Sequence, residues 1–248
     1  MASIRSLLTI KNKITGRGSR GHISVRHRGG GEKRFLREID WKRDQLDIKA
    51  RVISIDYDPN RTADIALLSY VNGSKSYILA TANLKVNDIV ICSENAPIKE
   101  GNRLCLKNIP VGIPIHCLEL EKGKSAQMVK SAGSAAYLQS IDGDKTIVKL
   151  PSGEIRIFNS ESMATIGQIG NSDHNTQKLV KAGDSRHRGI RPTVRGVAQD
   201  PRSHPHGGGE GRSSIGMNPK TPWGRPAMGK KTRKLKKASN RLIIKHRK

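Results

Sequence analysis

Several kinds of residue are scarce in this 248-residue sequence, and each scarcity excludes something. Aromatic side chains make up 3% of it, and only Trp223 lies beyond residue 180. That is too few for the stacking platforms on which single-strand binders rely. Cysteine occurs three times, as Cys92, Cys105 and Cys117. An odd number without close pairs makes neither a disulfide framework nor a structural zinc site, so buried thiols in a reducing compartment are expected. No apolar run approaches the ~18–20 residues of a membrane-spanning helix. The apolar fraction of 35% falls below the roughly 45–50% of ordinary globular chains, which argues against a single large core.

What the chain has in excess is positive charge. Lys and Arg number 46 against 21 Asp and Glu, a formal net charge of +25, which calls for a polyanionic partner. The excess is concentrated at the ends. Residues 1–31 carry +7 with no acid, residues 32–180 carry +2, and residues 181–248 carry +16. The last segment holds ten Gly and six Pro and has no alternating apolar run before Leu242-Ile243-Ile244. It cannot offset its ordering entropy by burying apolar area and should gain structure on a partner, as should the N-terminal arm.

The nearly neutral middle reads as β structure. Arg51 to Tyr57 alternates at period two and is broken by Asp58-Pro59-Asn60. Asp64 to Tyr70 and Ser74 to Ala80 flank Asn72-Gly73, a strong hairpin signal. Asp88 to Ile91 follows a turn at Lys85-Val86-Asn87. Val111 to Leu120 is β-rich but carries Gly112 and Pro114, as an edge strand or bulge would. Ala136 to Ile141, Lys145 to Leu150 and Glu154 to Phe158 form a meander through Asp142-Gly143 and Pro151-Ser152-Gly153. Short strands with Gly, Pro and Asn turns, and no helical periodicity, predict an all-β fold of two small barrels divided near residue 105.

Motifs suggesting chemistry dissolve in context. Gly16 to Gly21 spells a dinucleotide fingerprint, yet no strand precedes it and His22-Ile23-Ser24-Val25 looks extended where a helix should begin. Gly224 to Lys231 approaches a phosphate loop, but Lys231 stands where Ser or Thr should reach magnesium. His204-Pro205-His206-Gly207-Gly208-Gly209-Glu210 offers two His and a Glu to a metal but no third strong ligand. As a general base, either His lacks a nucleophile and an orienting partner. Successive glycines instead let the backbone approach a phosphate closely and aim N–H groups at it. His27-Arg28-Gly29-Gly30-Gly31-Glu32 repeats the arrangement near the other end. Gly229 to Lys237 packs six basic residues into nine, marking a solvated tail, a localisation signal or a phosphate contact.

Several long motifs together carry a resemblance: GHISVRHRGGG (Gly21 to Gly31), IDYDPNRTADIALL (Ile55 to Leu68), LKNIPV (Leu106 to Val111), KSAG (Lys130 to Gly133) and LPSGEI (Leu150 to Ile155). ATIGQIGN (Ala164 to Asn171), RPTVRGVA (Arg191 to Ala198), HPHGGGEGR (His204 to Arg212) and TPWGRPAMGKKTRKLKK (Thr221 to Lys237) extend it. In these the chain resembles the large-subunit ribosomal protein L-two family of bacteria and organelles, from about Thr15 to Lys248. The resemblance implies a basic arm over 1–34, an oligonucleotide-binding-type barrel over 35–105, an SH3-like barrel over 106–180 and a basic rRNA-binding extension over 181–248. It also implies a structural, non-enzymatic protein that organises large-subunit rRNA and supports subunit assembly and association near the peptidyl-transferase centre. The expected partners are large-subunit rRNA, neighbouring ribosomal proteins and small-subunit rRNA at an intersubunit bridge. No cofactor is expected, and any structural magnesium would come with the rRNA.

The residues expected to touch rRNA are, in the arm, Arg17, Arg26, His27, Arg28, Lys33 and Arg34. In the barrels they are Arg61, which matches the family's Asn-Arg contact, and Lys130, where many members have Arg; charge survives there but a bidentate guanidinium does not. In the extension they are Arg188, Arg191, Arg195, His204, His206, Arg212, Arg225, Lys230, Lys231, Arg233 and Lys234. His204 with Gly207, Gly208 and Gly209 is expected nearest the peptidyl-transferase centre. Bacterial members commonly have Asp before this His, where Ser203 stands here, which removes a carboxylate that could orient it. Two rivals explain less: a chromatin-type packaging protein accounts for the charge but not the acid-balanced middle, and a metal- or His-dependent enzyme would centre on His204 and His206. The N-terminus is short beside bacterial relatives, and residues 1–14 are acid-free with Arg5, so a bacterial or an organellar ribosome fits equally.

Overall fold

The computed structural model describes residues 4–10, 12–211 and 213–247. Its first strands are β1 (Leu8–Ile10), β2 (Phe35–Arg37), β3 (Ala50–Asp56), β4 (Ile65–Tyr70), β5 (Lys75–Leu79) and β6 (Ile89–Val90). The Asn72-Gly73 signal turns the chain between β4 and β5. Tyr70 N–H donates to Ser74 O (2.9 Å), Gly73 N–H donates to Tyr70 O (3.0 Å), and Gly73 takes a φ of +82° that a side chain would resist. The antiparallel sheet runs β5-β4-β3-β6. Its register slips between Val52 and Ser54, a bulge that sharpens the strand's twist and curls the sheet.

Strand β4 is buried almost throughout, because both faces of this sheet are covered. Ala66, Leu68 and Tyr70 point into the first barrel with Val52, Ile78 and Val90. Ile65 and Leu67 point the other way, joining Tyr77, Leu79, Cys117, Ala126 and Ile169. Burial on two faces is why Ile65-Ala66-Leu67-Leu68 reads as a continuous apolar run instead of an alternation.

The second sheet contains β7 (Arg103–Cys105), β8 (Pro114–His116), β9 (Ala136–Asp142), β10 (Lys145–Lys149), β11 (Ile155–Asn159), β12 (Met163–Ile166) and β13 (Ile243–Lys245). Their order is β13-β11-β10-β9-β8-β12-β7. Leu104, Leu106, Ile115, Leu118, Leu138, Val148, Phe158 and Ile166 fill its core. The Pro151-Ser152-Gly153 turn closes with Leu150 N–H donating to Glu154 O (2.9 Å). Val111 to Leu120 supplies only the short β8, since Cys117 bends the chain at a φ of +48°. Helix is almost absent, with α1 (Ala182–His187) the α-helix among the described residues.

The chain divides into two compact units, one of Met1–Lys11, Arg34–Lys178 and Ala238–Lys248, the other of Asn12–Lys33 and Leu179–Lys237. The chain ends thus differ from uniform basic extensions. β1 pairs with β2, and β13 pairs with β11, because Leu8–Ile10 and Ile243-Ile244 can each add an apolar strand. A division at 105 also falls at the end of β7, which pairs with β12 in the second sheet.

Where the two sheets of the first unit meet, charge is buried. Arg103 Nη2 donates to Glu119 Oε1 (2.6 Å), with side chains 1% and 3% exposed, and Glu119 Oε2 accepts Met163 N–H (3.1 Å). Arg43 Nη1 donates to Gly101 O (2.6 Å). His116 Nδ1 donates to Gly167 O (2.8 Å), and burial holds its pKa down at about 4. Glu119→Ala leaves Arg103 buried without its counter-charge and is expected to cost about 3–5 kcal/mol in urea unfolding. The His116 shift gives a pH dependence. The unfolded imidazole takes up a proton near its ordinary 6.5, while the folded one does so only near 4. Stability is therefore complete above pH 6.5 and falls as pH drops toward 4, by up to ~3 kcal/mol. Urea midpoints at pH 7 and 5 should differ less for His116→Asn than for the natural chain.

Candidate nucleic-acid interface

The segment that breaks β3 is organised by one carboxylate. Asp58 is fully buried. Its Oδ1 accepts Asn60 N–H (3.0 Å) and Asn60 Nδ2 (3.1 Å), and its Oδ2 accepts Arg61 Nε (2.6 Å). Arg37 approaches the same group at 3.8 Å. Arg34 Nη1 donates to Pro59 O (2.7 Å) and Asn60 Nδ2 to Phe35 O (2.6 Å), which ties the turn to β2. Arg61 uses its Nε in this ion pair.

Beside this turn, Trp41 carries two cations: Arg61 Cζ at 5.5 Å and Lys130 Nζ at 4.3 Å from its ring centroid. The Lys130-Ser131-Ala132-Gly133 segment is held against it by backbone contacts. Ala132 N–H donates to Thr62 Oγ1 (3.1 Å), and Asn171 Nδ2 donates to Thr62 O (2.8 Å). Gly133 N–H meets Gly170 O (3.1 Å), and Gln168 Nε2 donates to Gly133 O (2.8 Å). Gly133 has a φ of +65°, and a Cβ there would lie 3.0 Å from Ser172 Cα. Three motifs far apart in sequence, around Arg61, Lys130 and Asn171, therefore form one surface in the first unit.

In the second unit the arm and the extension pair through their backbones. Gly29 N–H donates to Gly189 O (2.9 Å), Glu32 N–H to His187 O (3.0 Å) and Arg191 N–H to His27 O (3.0 Å). A Cβ on Gly31 would lie 2.8 Å from Gly189 Cα, so glycine is required where the strands approach. Arg17, Arg26, His27, Arg28 and Arg191 line a concavity of about 530 Å³. Arg26 also lies 5.8 Å from the Trp223 ring centroid.

The glycine-rich His cluster is built just as tightly. His204 is 8% exposed, packed against Gly196, where a Cβ would come within 2.6 Å of its ring. His206 N–H donates to His204 Nδ1 (3.0 Å), and Lys220 N–H donates to His206 Nε2 (2.9 Å). Both rings therefore accept a backbone N–H at one nitrogen. Burial, then the neighbouring His206 and Arg26, lower the His204 pKa. Gly207 N–H closes onto His204 O (2.9 Å) and Gly208 N–H onto Gln199 O (3.2 Å), so these amides are engaged within the loop. Gly209, at a φ of +85°, continues it at the surface.

Residues 4–92 match the family model for Ribosomal Proteins L2, RNA binding N-terminal domain, and residues 99–224 match that for Ribosomal Proteins L2, C-terminal domain. The chain belongs to the ribosomal protein L2 family. It is thus a structural, RNA-binding protein of the large ribosomal subunit, with rRNA and ribosomal proteins as its partners.

Against this L2 identity, the expected contacts fall into groups. Arg34, Arg61 and Lys130 come together in the first unit. Arg17, Arg26, His27, Arg28 and Arg191 come together in the second. Lys33, Arg188, Arg195, Arg225, Lys230, Lys231, Arg233 and Lys234 are exposed in the second unit, and Arg212 lies outside the described residues. Sequence reasoning missed Arg37, Trp41 and Asp58. The Asp58-Pro59-Asn60 turn was legible as a strand break, and an Asx-type anchor with a basic residue three positions on was the available signal.

Asp58→Ala removes the carboxylate from Arg61 and Arg37 and is expected to cost about 3 kcal/mol in urea unfolding. Lys130→Ala loses a half-buried cation–π contact and should cost about 1 kcal/mol, while measurably weakening rRNA binding in an anisotropy titration.

Proposed function

We propose that this L2 protein acts as an electrostatic brace for large-subunit rRNA, with the cations on its first unit and those of its second unit neutralising phosphates where RNA helices approach one another. The observation that carries this reading is how the carboxylates are used. Asp58 and Glu119 are buried against arginines. The arginines around the second unit's concavity, by contrast, have no carboxylate within ion-pair distance among the described residues. Cations held in place without counter-charge are what a phosphate backbone would complete.

The finer reading places His204 with Gly207, Gly208 and Gly209 beside the peptidyl-transferase centre, in a positioning role. The geometry supports positioning over proton transfer. His204 Nδ1 is engaged by a backbone N–H, and among the described residues neither a nucleophile nor a carboxylate bonds the ring, Ser203 standing where a carboxylate would be. In this reading the protein is a non-enzymatic constituent, and any magnesium comes with the rRNA. It supports subunit assembly and joins small-subunit rRNA at an intersubunit bridge. It serves a ribosome of bacterial or organellar type.

Filter binding of the full chain to a large-subunit rRNA fragment tests the brace. If about ten phosphates are neutralised, log K should fall against log salt with a slope of roughly −7 to −9. A slope near zero would overturn it.

A further inference from the structure

The concavity of the second unit has a composition that phosphate neutralisation alone does not require. Every cationic chain in its lining that is charged at neutral pH is an arginine: Arg17, Arg26, Arg28 and Arg191. The neighbouring run from Lys230 to Lys237, by contrast, holds five lysines and one arginine. Lysine serves as a point charge for phosphate. Arginine adds a planar face that stacks on a ring and a fork that grips phosphate or a base edge in two places.

The floor of the concavity is also apolar. Ile23 and Val25 line it with 63% and 54% of their surfaces exposed, two β-branched side chains presented to solvent among four arginines. This arrangement is held open by the backbone. Ser24 and Val25 N–H both donate to Gly16 O (2.9 and 3.0 Å), and Gly18 N–H donates to His22 O (2.8 Å). A Cβ on Gly16 would lie 2.2 Å from Val25 O, so glycine alone admits that approach.

We infer that this concavity receives one unstacked nucleotide of the RNA, its base covering Ile23 and Val25 and its phosphate held by the arginines. This rests on the RNA-binding reading above and specifies it. At about 530 Å³ the space lies within the roughly 300–1,000 Å³ range of small-molecule sites, ample for a nucleotide and too confined for a duplex. A bulged or looped nucleotide can be splayed out to meet such a site, while a paired one cannot. The arm would then do two things at once: neutralise charge, and select a place in the RNA where a base is free to leave the stack.

The test uses the full chain and three RNA hairpins with the same number of phosphates: one fully paired, one with a single-nucleotide bulge, and one in which the bulged nucleotide is abasic. Anisotropy titrations at fixed salt should give about tenfold tighter binding of the bulged hairpin, a preference the abasic hairpin loses. The double variant Ile23→Ser, Val25→Ser changes only exposed side chains. It should bind the paired hairpin as the natural chain does and lose the bulge preference. Equal affinity for bulged and paired hairpins, or a preference that survives in the double variant, would overturn the inference. Tighter binding of an acidic peptide than of the bulged hairpin would overturn it in favour of a protein partner. Loss of salt-dependent binding to every hairpin would instead overturn the RNA-binding reading beneath it.

Discussion

The burial of both faces of strand β4 is the constraint on which the first unit depends. A sheet with one wet face would leave each small barrel alone, near the size at which a single core barely holds. With Ile65 and Leu67 turned toward Cys117, Ala126 and Ile169, the two barrels share apolar area. The segment after β3 is then carried up against the segments after β8 and β12. The cluster of Arg61, Trp41 and Lys130 is a product of that shared face. The buried Arg103–Glu119 pair and the neutral His116 sit at the same junction. Arg103 is held by Glu119 and Cys117 O and His116 by Gly167 O, and removing a partner from groups this deeply buried is costly.

The distribution of carboxylates explains the distribution of function. Where the chain folds on itself, an acid accompanies the base: Asp58 for Arg61 and Arg37, Glu119 for Arg103. Among the described residues none of the arginines lining the second unit's concavity has such an acid, and glycines that admit close approach are the organising element instead. Gly31 against Gly189, Gly16 against Val25 and Gly196 against His204 are all approaches closer than a Cβ permits. Glycine at these places lets a basic, core-poor segment hold a shape through backbone hydrogen bonds instead of apolar burial. The two His rings fit the same scheme, serving as acceptors for backbone N–H groups, which holds them in place.

Much of the β framework was legible in the sequence. The Asn72-Gly73 hairpin, the meander through Asp142-Gly143 and the turn at Gly153 form where period and turn chemistry predict them, since those signals are local. Short strands were harder to read. Leu8–Ile10, Phe35–Arg37, Arg103–Cys105 and Met163–Ile166 have three or four residues each, too few to show a period of two. Their pairing is decided by partners far along the chain. For the same reason Arg61 and Lys130 were found singly, by motif, and Arg34 as part of the basic arm, while Asp58 and Trp41, which bind them into one surface, were not found at all.

The sequence by itself determined the class and the partner: all-β, because turn residues interrupt short apolar stretches, and polyanion-binding, because the net charge of +25 is loaded onto the two ends. Its motifs determined the family. Only the tertiary structure decided which cations act together. Thr62 meets Asn171 across 109 positions and Ala132 across 70, and no local pattern encodes contacts of that range. It also decided that His204 is buried and neutral, and that four arginines surround an apolar floor. Burial and charge separation are properties of packed neighbours, and neighbours in space are set by the fold.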